Sequence, residues 1–222
     1  MIVASRKPLE EIVEQVENEE RILVAGCGTC VAVCMAGGEK EAELLTIELR
    51  MALKLKGKTP DIQTVTIQRQ CEKEFAETLA PHVADRDVVV SMGCGAGVQF
   101  LAGTFLEKRI IPGLNTEFIG VVNAPGEFQE VCGACGSCIL HLTGGICPIA
   151  RCSKSLLNGP CGGSSQGHCE LGEDVDCAWQ QIYDRLKAQG RLELLSQINA
   201  PKDWSTNRDG GPRRVMRKEQ KR

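Results

Sequence analysis

Arg21-Ile22-Leu23-Val24-Ala25-Gly26-Cys27-Gly28-Thr29-Cys30 is the stretch that decides the fold. An apolar run ended by glycine reads as a parallel strand buried on both faces. It is preceded by Pro8-to-Glu19, where Ile12, Val13 and Val16 among glutamates predict a short amphipathic helix with proline in its first turn. It is followed by Glu39–Lys56, rich in strong helix formers and stopped by Gly57. The unit then repeats. Strands are predicted at Thr64–Ile67, Asp87–Ser91 and Phe118–Val122, with helices at 72–80, limited by Pro81, and at Val98–Glu107. Strands alternating with helices imply βαβ units and an open parallel sheet.

Beyond the Ala124-Pro125-Gly126 corner the pattern stops. Residues 127–173 show no periodicity and are dominated by glycine, proline and cysteine. Such a segment buries too little apolar surface to fold alone, so bound metal is expected to stabilise it. Helices are predicted again at Asp174–Leu186, capped by Asp174, and at Arg191–Ile198. The expected fold class is α/β: an N-terminal open parallel sheet with flanking helices, then a small irregular cysteine-rich metal-binding domain with terminal helices. The expected domains are 1–124, 125–200 and a basic tail, 201–222, read as a mobile end or an arm that orders on a partner. Arg213, Arg214, Arg217 and Lys218 supply its charge.

Thirteen cysteines in 222 residues are far from ordinary, while the formal net charge of −3 excludes a strong field toward nucleic acid or membrane. No apolar run approaches the ~20 residues of a membrane span. Met1–Glu20 is charged and lacks the apolar core of a signal peptide, so the expected compartment is the reducing cytoplasm, where cysteines serve metals or catalysis rather than disulfides.

The five upstream cysteines follow strand ends. Cys27, Cys30 and Cys34 follow the first strand, Cys71 the second and Cys94 the third. Parallel strands gather their following loops at one edge, so these thiols are expected to meet there, on a [4Fe-4S] cluster or zinc. The first choice of ligands is Cys27, Cys30, Cys71 and Cys94, with Cys34 alternating or structural. The neighbouring glycines do not make a dinucleotide loop, because Val31 stands where the third glycine of G-x-G-x-x-G belongs.

The eight downstream cysteines are Cys132, Cys135, Cys138, Cys147, Cys152, Cys161, Cys169 and Cys177. Cys132-x-x-Cys135-x-x-Cys138 begins as the bacterial ferredoxin run does, but eight residues separate it from Cys147-Pro148. Eight thiolates can serve two clusters, a cluster and a zinc, or one cluster with spare thiols. His141 and His168 are secondary zinc candidates. Ser91, Ser137, Ser164 and Ser165 lack a G-x-S-x-G context, and no acid–base pair stands out, so substrate chemistry is expected on another chain.

Cys-Gly-x-Cys-Gly-x-Cys-Ile-Leu from Cys132, Thr143–Pro148, Cys152-x-Lys154-x-Leu156-Leu157-Asn158-Gly159-Pro160-Cys161-Gly162-Gly163 and Gly167-x-Cys169-Glu170 resemble the methylenetetrahydrofolate reductase C-terminal domain. With an α/β half in front, the chain resembles the small metal-binding subunit of that reductase in acetogenic bacteria, over roughly residues 20–200. The resemblance implies an electron-transfer subunit carrying two or three [4Fe-4S] clusters, with zinc in place of one as an option. The partner it implies is a flavin-bearing (βα)8-barrel catalytic subunit that acts in the methyl branch of acetyl-CoA formation. Electrons would be exchanged with ferredoxin or with an NADH- or hydrogenase-linked module. A zinc-stapled structural subunit without a redox role is the alternative, and a zinc-dependent methyl transfer or corrinoid partner ranks below both.

Overall fold

The computed structural model describes residues 1–215. It divides into two compact units, Met1–Phe128 and Gln129–Arg222, the second described through Val215. Arg217 and Lys218 of the basic tail lie outside the described residues.

The first unit runs β1 (Ile2–Arg6), α1 (Leu9–Val16), β2 (Arg21–Cys27), α2 (Cys30–Val33), α3 (Glu39–Leu55) and β3 (Asp61–Ile67). It continues through α4 (Lys73–Glu77), α5 (Ala80–Val83), β4 (Val88–Ser91), α6 (Gly95–Thr104), β5 (Arg109–Pro112) and β6 (Leu114–Ala124), and β7 (Glu127–Cys132) begins within it. The central sheet is parallel, in the order β3-β2-β4-β5. The chain leaves β2 toward β3 and then crosses to β4 on the other side. The strand order therefore reverses between β2 and β4, the place where open α/β sheets bind ligands.

Side chains alternate across this sheet as a pleat requires. Ile22, Val24, Val88 and Val90 join α1 and α3 in one apolar cluster, whereas Leu23, Ala25 and Val89 join Ala76, Leu79 and Leu101 in the other. Each fully buried Leu or Ile adds about 1.5–3 kcal/mol of transfer free energy. Truncating Leu49, wholly buried on α3, would cost about 2–5 kcal/mol.

One sequence expectation is corrected here. Phe118–Val122 is not the fourth parallel strand. It belongs to β6, which pairs antiparallel with β1 in a separate three-stranded sheet ordered β1-β6-β7. The fourth parallel strand is β5, four residues ending in a proline that needs no ladder donor at a sheet edge. Pro125-Gly126 is a tight turn joining β6 to β7, with Gly126 at φ 81°, the left-handed value a type II turn places on glycine.

The second unit contains α7 (Pro148–Arg151), β8 (His168–Cys169), β9 (Gly172–Asp176) and α8 (Ala178–Ala188), joined by short 3-10 turns. The helix expected from Asp174 begins later. Residues 172–176 are drawn into an antiparallel hairpin with β8, and Cys177 stands at the N-cap. Arg191–Ile198 forms a 3-10 turn over Leu192–Ser196 instead of an α-helix. Among the described residues the buried apolar cluster here is small: Cys177, Trp179, Ile182 and Leu186, with Ile146, Cys152, Leu194 and Leu195 against it. The Trp179 indole donates to Leu156 O at 3.1 Å. Gly159 lies so close to the indole that an added Cβ would sit 2.4 Å from it.

Candidate metal centres

At the carboxyl edge of the parallel sheet, β2 ends at Cys27, Cys71 follows β3, and Cys94 is the N-cap of α6 just after β4. Cys30 opens α2, three residues after Cys27. Desolvation pushes the Cys71 thiol above its usual range, and the charges of Cys94 and then Cys27 push it the same way. Cys71 thus lies in the field of two other first-choice cysteines, Cys94 and Cys27. Cys34 stands apart. It is 7% exposed within the apolar cluster, and its thiol donates to Val31 O at 3.5 Å and Ala4 O at 3.6 Å. It behaves as a small core hydrophobe with a weak donor.

The strand ends are tied together by a residue that sequence reasoning did not single out. Gln70 is wholly buried. Its amide donates to Ala25 O at 2.8 Å and Gly26 O at 3.1 Å, and its carbonyl accepts from the Ser91 hydroxyl at 2.5 Å. One amide thus bridges the ends of β2 and β4, one residue before Cys71. The absence of side chains at Gly93 and Gly97 makes room for it, since an added Cβ would lie 2.4 Å and 3.0 Å from Gln70 atoms. The only sequence signal was a polar residue beside a cysteine, which is too common to read.

The second unit separates its eight cysteines into two sets. Cys132, Cys135, Cys138 and Cys147 line one cavity of 290 Å³, walled otherwise by Val131, Ile139, Leu140 and Ile149. Cys152, Cys161, Cys169 and Cys177 line another of only 20 Å³, together with Lys154, Glu170 and Trp179. The sets are contiguous in sequence, first four and last four. Each has one member at a helix N-cap, Cys147 on α7 and Cys177 on α8, as Cys94 is on α6.

The first set surrounds a space with room for a polynuclear group, and an all-thiolate donor set suits iron and sulfide. The Ala134 amide already donates to Cys132 Sγ at 3.4 Å. A single tetrahedral zinc would draw its sulfurs to about 3.8 Å from one another. Among the described residues no three His, Cys, Asp or Glu side chains gather closely enough to hold one ion. The second set leaves room for about one atom-sized sphere. Beside it Lys154 is ion-paired to Glu170, which lifts its pKa above the usual range, with the Cys161 and Cys169 charges adding to the effect.

Residues 111–205 match the family described as methylene-tetrahydrofolate reductase C terminal. The matched span holds all eight downstream cysteines and none of the five upstream ones. No curated protein and no solved structure matches the chain. Among the described residues no helix is long and apolar enough to cross a membrane.

Proposed function

We propose that this chain is the iron–sulfur electron-transfer subunit of a methylenetetrahydrofolate reductase complex. It would pass electrons to or from the flavin of a separate (βα)8-barrel subunit, in the methyl branch of acetyl-CoA formation. One observation carries the reading: four cysteines of a reductase-related segment line a single 290 Å³ cavity. Cys132, Cys135, Cys138 and Cys147 would hold a [4Fe-4S] cluster there, and Cys27, Cys30, Cys71 and Cys94 a second one at the sheet edge. Such clusters supply reversible one-electron transfer. The chain's own residues contribute the thiolates and, beside the first set, an apolar wall of Val131, Ile139, Leu140 and Ile149. The exchange partner on the other side would be ferredoxin or an NADH- or hydrogenase-linked module.

For Cys152, Cys161, Cys169 and Cys177 a second reading has its own support. Their 20 Å³ space suits a single structural zinc better than a polynuclear cluster. Iron, sulfide and zinc per chain after anaerobic, iron-replete purification test both readings, with EPR of the reduced protein and reduction of the flavin subunit by the reduced chain. Iron with sulfide, visible absorption that bleaches on reduction, and electron delivery to the flavin are expected. A colourless zinc protein would sink the electron-transfer reading.

A further inference from the structure

The loop between Cys132 and Cys138 has no regular structure, and it bends through left-handed φ values of 50° at Ala134 and 84° at Gly136. A later segment of the same unit lies along it. The Arg213 guanidinium donates to Ala134 O at 2.9 Å and, through the same nitrogen, to Thr206 O at 2.8 Å. The Thr206 hydroxyl donates to Cys135 O at 2.9 Å, and the Lys202 ammonium to Ser137 O at 3.1 Å. Gly136 is in such close contact that an added Cβ would stand 2.3 Å from Thr206 O. The segment is itself braced, since Asp203 caps Ser205 N at 2.9 Å and Lys202 lies 5.7 Å from the centre of the Trp204 ring.

Three of four consecutive carbonyls in the loop therefore accept from one strap, and of these Ser137 O also accepts from the Cys135 thiol at 3.8 Å. A trans peptide is planar, with its N–H directed opposite its C=O. Holding the carbonyls of Ala134 and Cys135 toward the strap turns the N–H groups of Cys135 and Gly136 the other way. That is the arrangement in which successive backbone amides form an anion-binding concavity. Two of the three donors are also cations, held one peptide away from the thiolates.

We infer that residues 202–213 position the peptide dipoles of the Cys132–Cys138 loop around its cluster. They thereby raise its reduction potential and slow its loss. Lys202, Thr206 and Arg213 are positioning residues, acting through the loop backbone. The inference rests on the reading that this loop binds a cluster.

The test uses the full chain, anaerobically loaded, with Thr206→Val, Arg213→Gln and the double variant, and with Thr206→Ser and Arg213→Lys as conservative controls. The EPR signal and iron lost in Cys135→Ala assign the cluster. The double variant should release that iron to a chelator about tenfold faster. Its reduction equilibrium should move about tenfold toward the oxidised form, 59 mV for one electron, and the conservative variants should restore both. Unchanged release and unchanged potential overturn the inference. Faster release at an unchanged potential also overturns it, since the strap would then be only a brace. If Cys135→Ala loses no iron, the cluster reading itself fails, and the strap inference falls with it.

Discussion

Replacing Gln70 with leucine would show whether one amide holds the sheet-edge site together. Leucine matches the volume but makes none of the bonds to Ala25 O, Gly26 O and Ser91 Oγ. Ala25 O keeps a donor from Met92 N at 2.8 Å, and Gly26 O keeps the ladder bond of the Cys27–Ile67 pair, so the cost falls on the Ser91 hydroxyl. A buried polar group left unpaired costs about 1–3 kcal/mol. Amide hydrogen exchange reads this locally, and Met92 N–H should lose protection by roughly 5-fold to 140-fold, at 1.4 kcal/mol per factor of ten. Iron at the sheet edge should fall in parallel, because Cys71 is the next residue. A leucine variant with wild-type protection and wild-type iron would refute the reasoning.

Cys34→Ala should keep the full iron content and cost about 1 kcal/mol of stability, whereas Cys27→Ala should lose the sheet-edge iron; equal losses would put Cys34 among the ligands. Cys135→Ala and Cys161→Ala should each remove the metal of one set and leave the other intact, with additive losses in the double variant; loss of both sets from either change would contradict the partition. Asp87 accepts bonds from the Arg21 side chain and backbone, which hold its carboxyl below the usual range. A depressed folded-state pKa gives stability that is present above the ordinary carboxylate range and lost as pH falls through the depressed value. Asp87→Asn should therefore flatten the acid limb of unfolding, and an unchanged acid limb would refute the assignment. Gly37→Ala should destabilise the Cys27–Gly37 loop, since its Cβ would stand 1.9 Å from Met92 O; wild-type thermal stability would count against that close approach.

The buried parallel strands were legible because burial on both faces leaves continuous apolar runs, as in Ile22–Ala25 and Val88–Val90. Arg109–Pro112 escaped because four residues ending in proline carry almost no strand signal. Phe118–Val122 misled because a β-branched run fits either sheet, and pairing with Ile2–Arg6 is set by distant chain. Asp174 looked like a cap because an acidic residue before an apolar period usually is one. Here the β8–β9 hairpin claimed it and passed the cap to Cys177. Cysteine spacing alone could not divide the eight downstream thiols, since spacing does not say which loop turns back on which. Gln70 and the Lys202–Arg213 strap act through backbone carbonyls, and carbonyls leave no mark in a sequence.

Cys152 and Cys177 pack with Trp179, Ile182 and Leu186. On the proposed reading, the atoms that grip metal are also part of the only buried apolar cluster among the described residues of the second unit. A chain starved of metal would then present Trp179 and its neighbours to proteases instead of sheltering them. Cellular abundance would follow metal supply without any dedicated sensor, through turnover of the empty chain alone. A pulse-chase half-life equal in metal-replete and metal-starved cells would show that the empty chain keeps its shape.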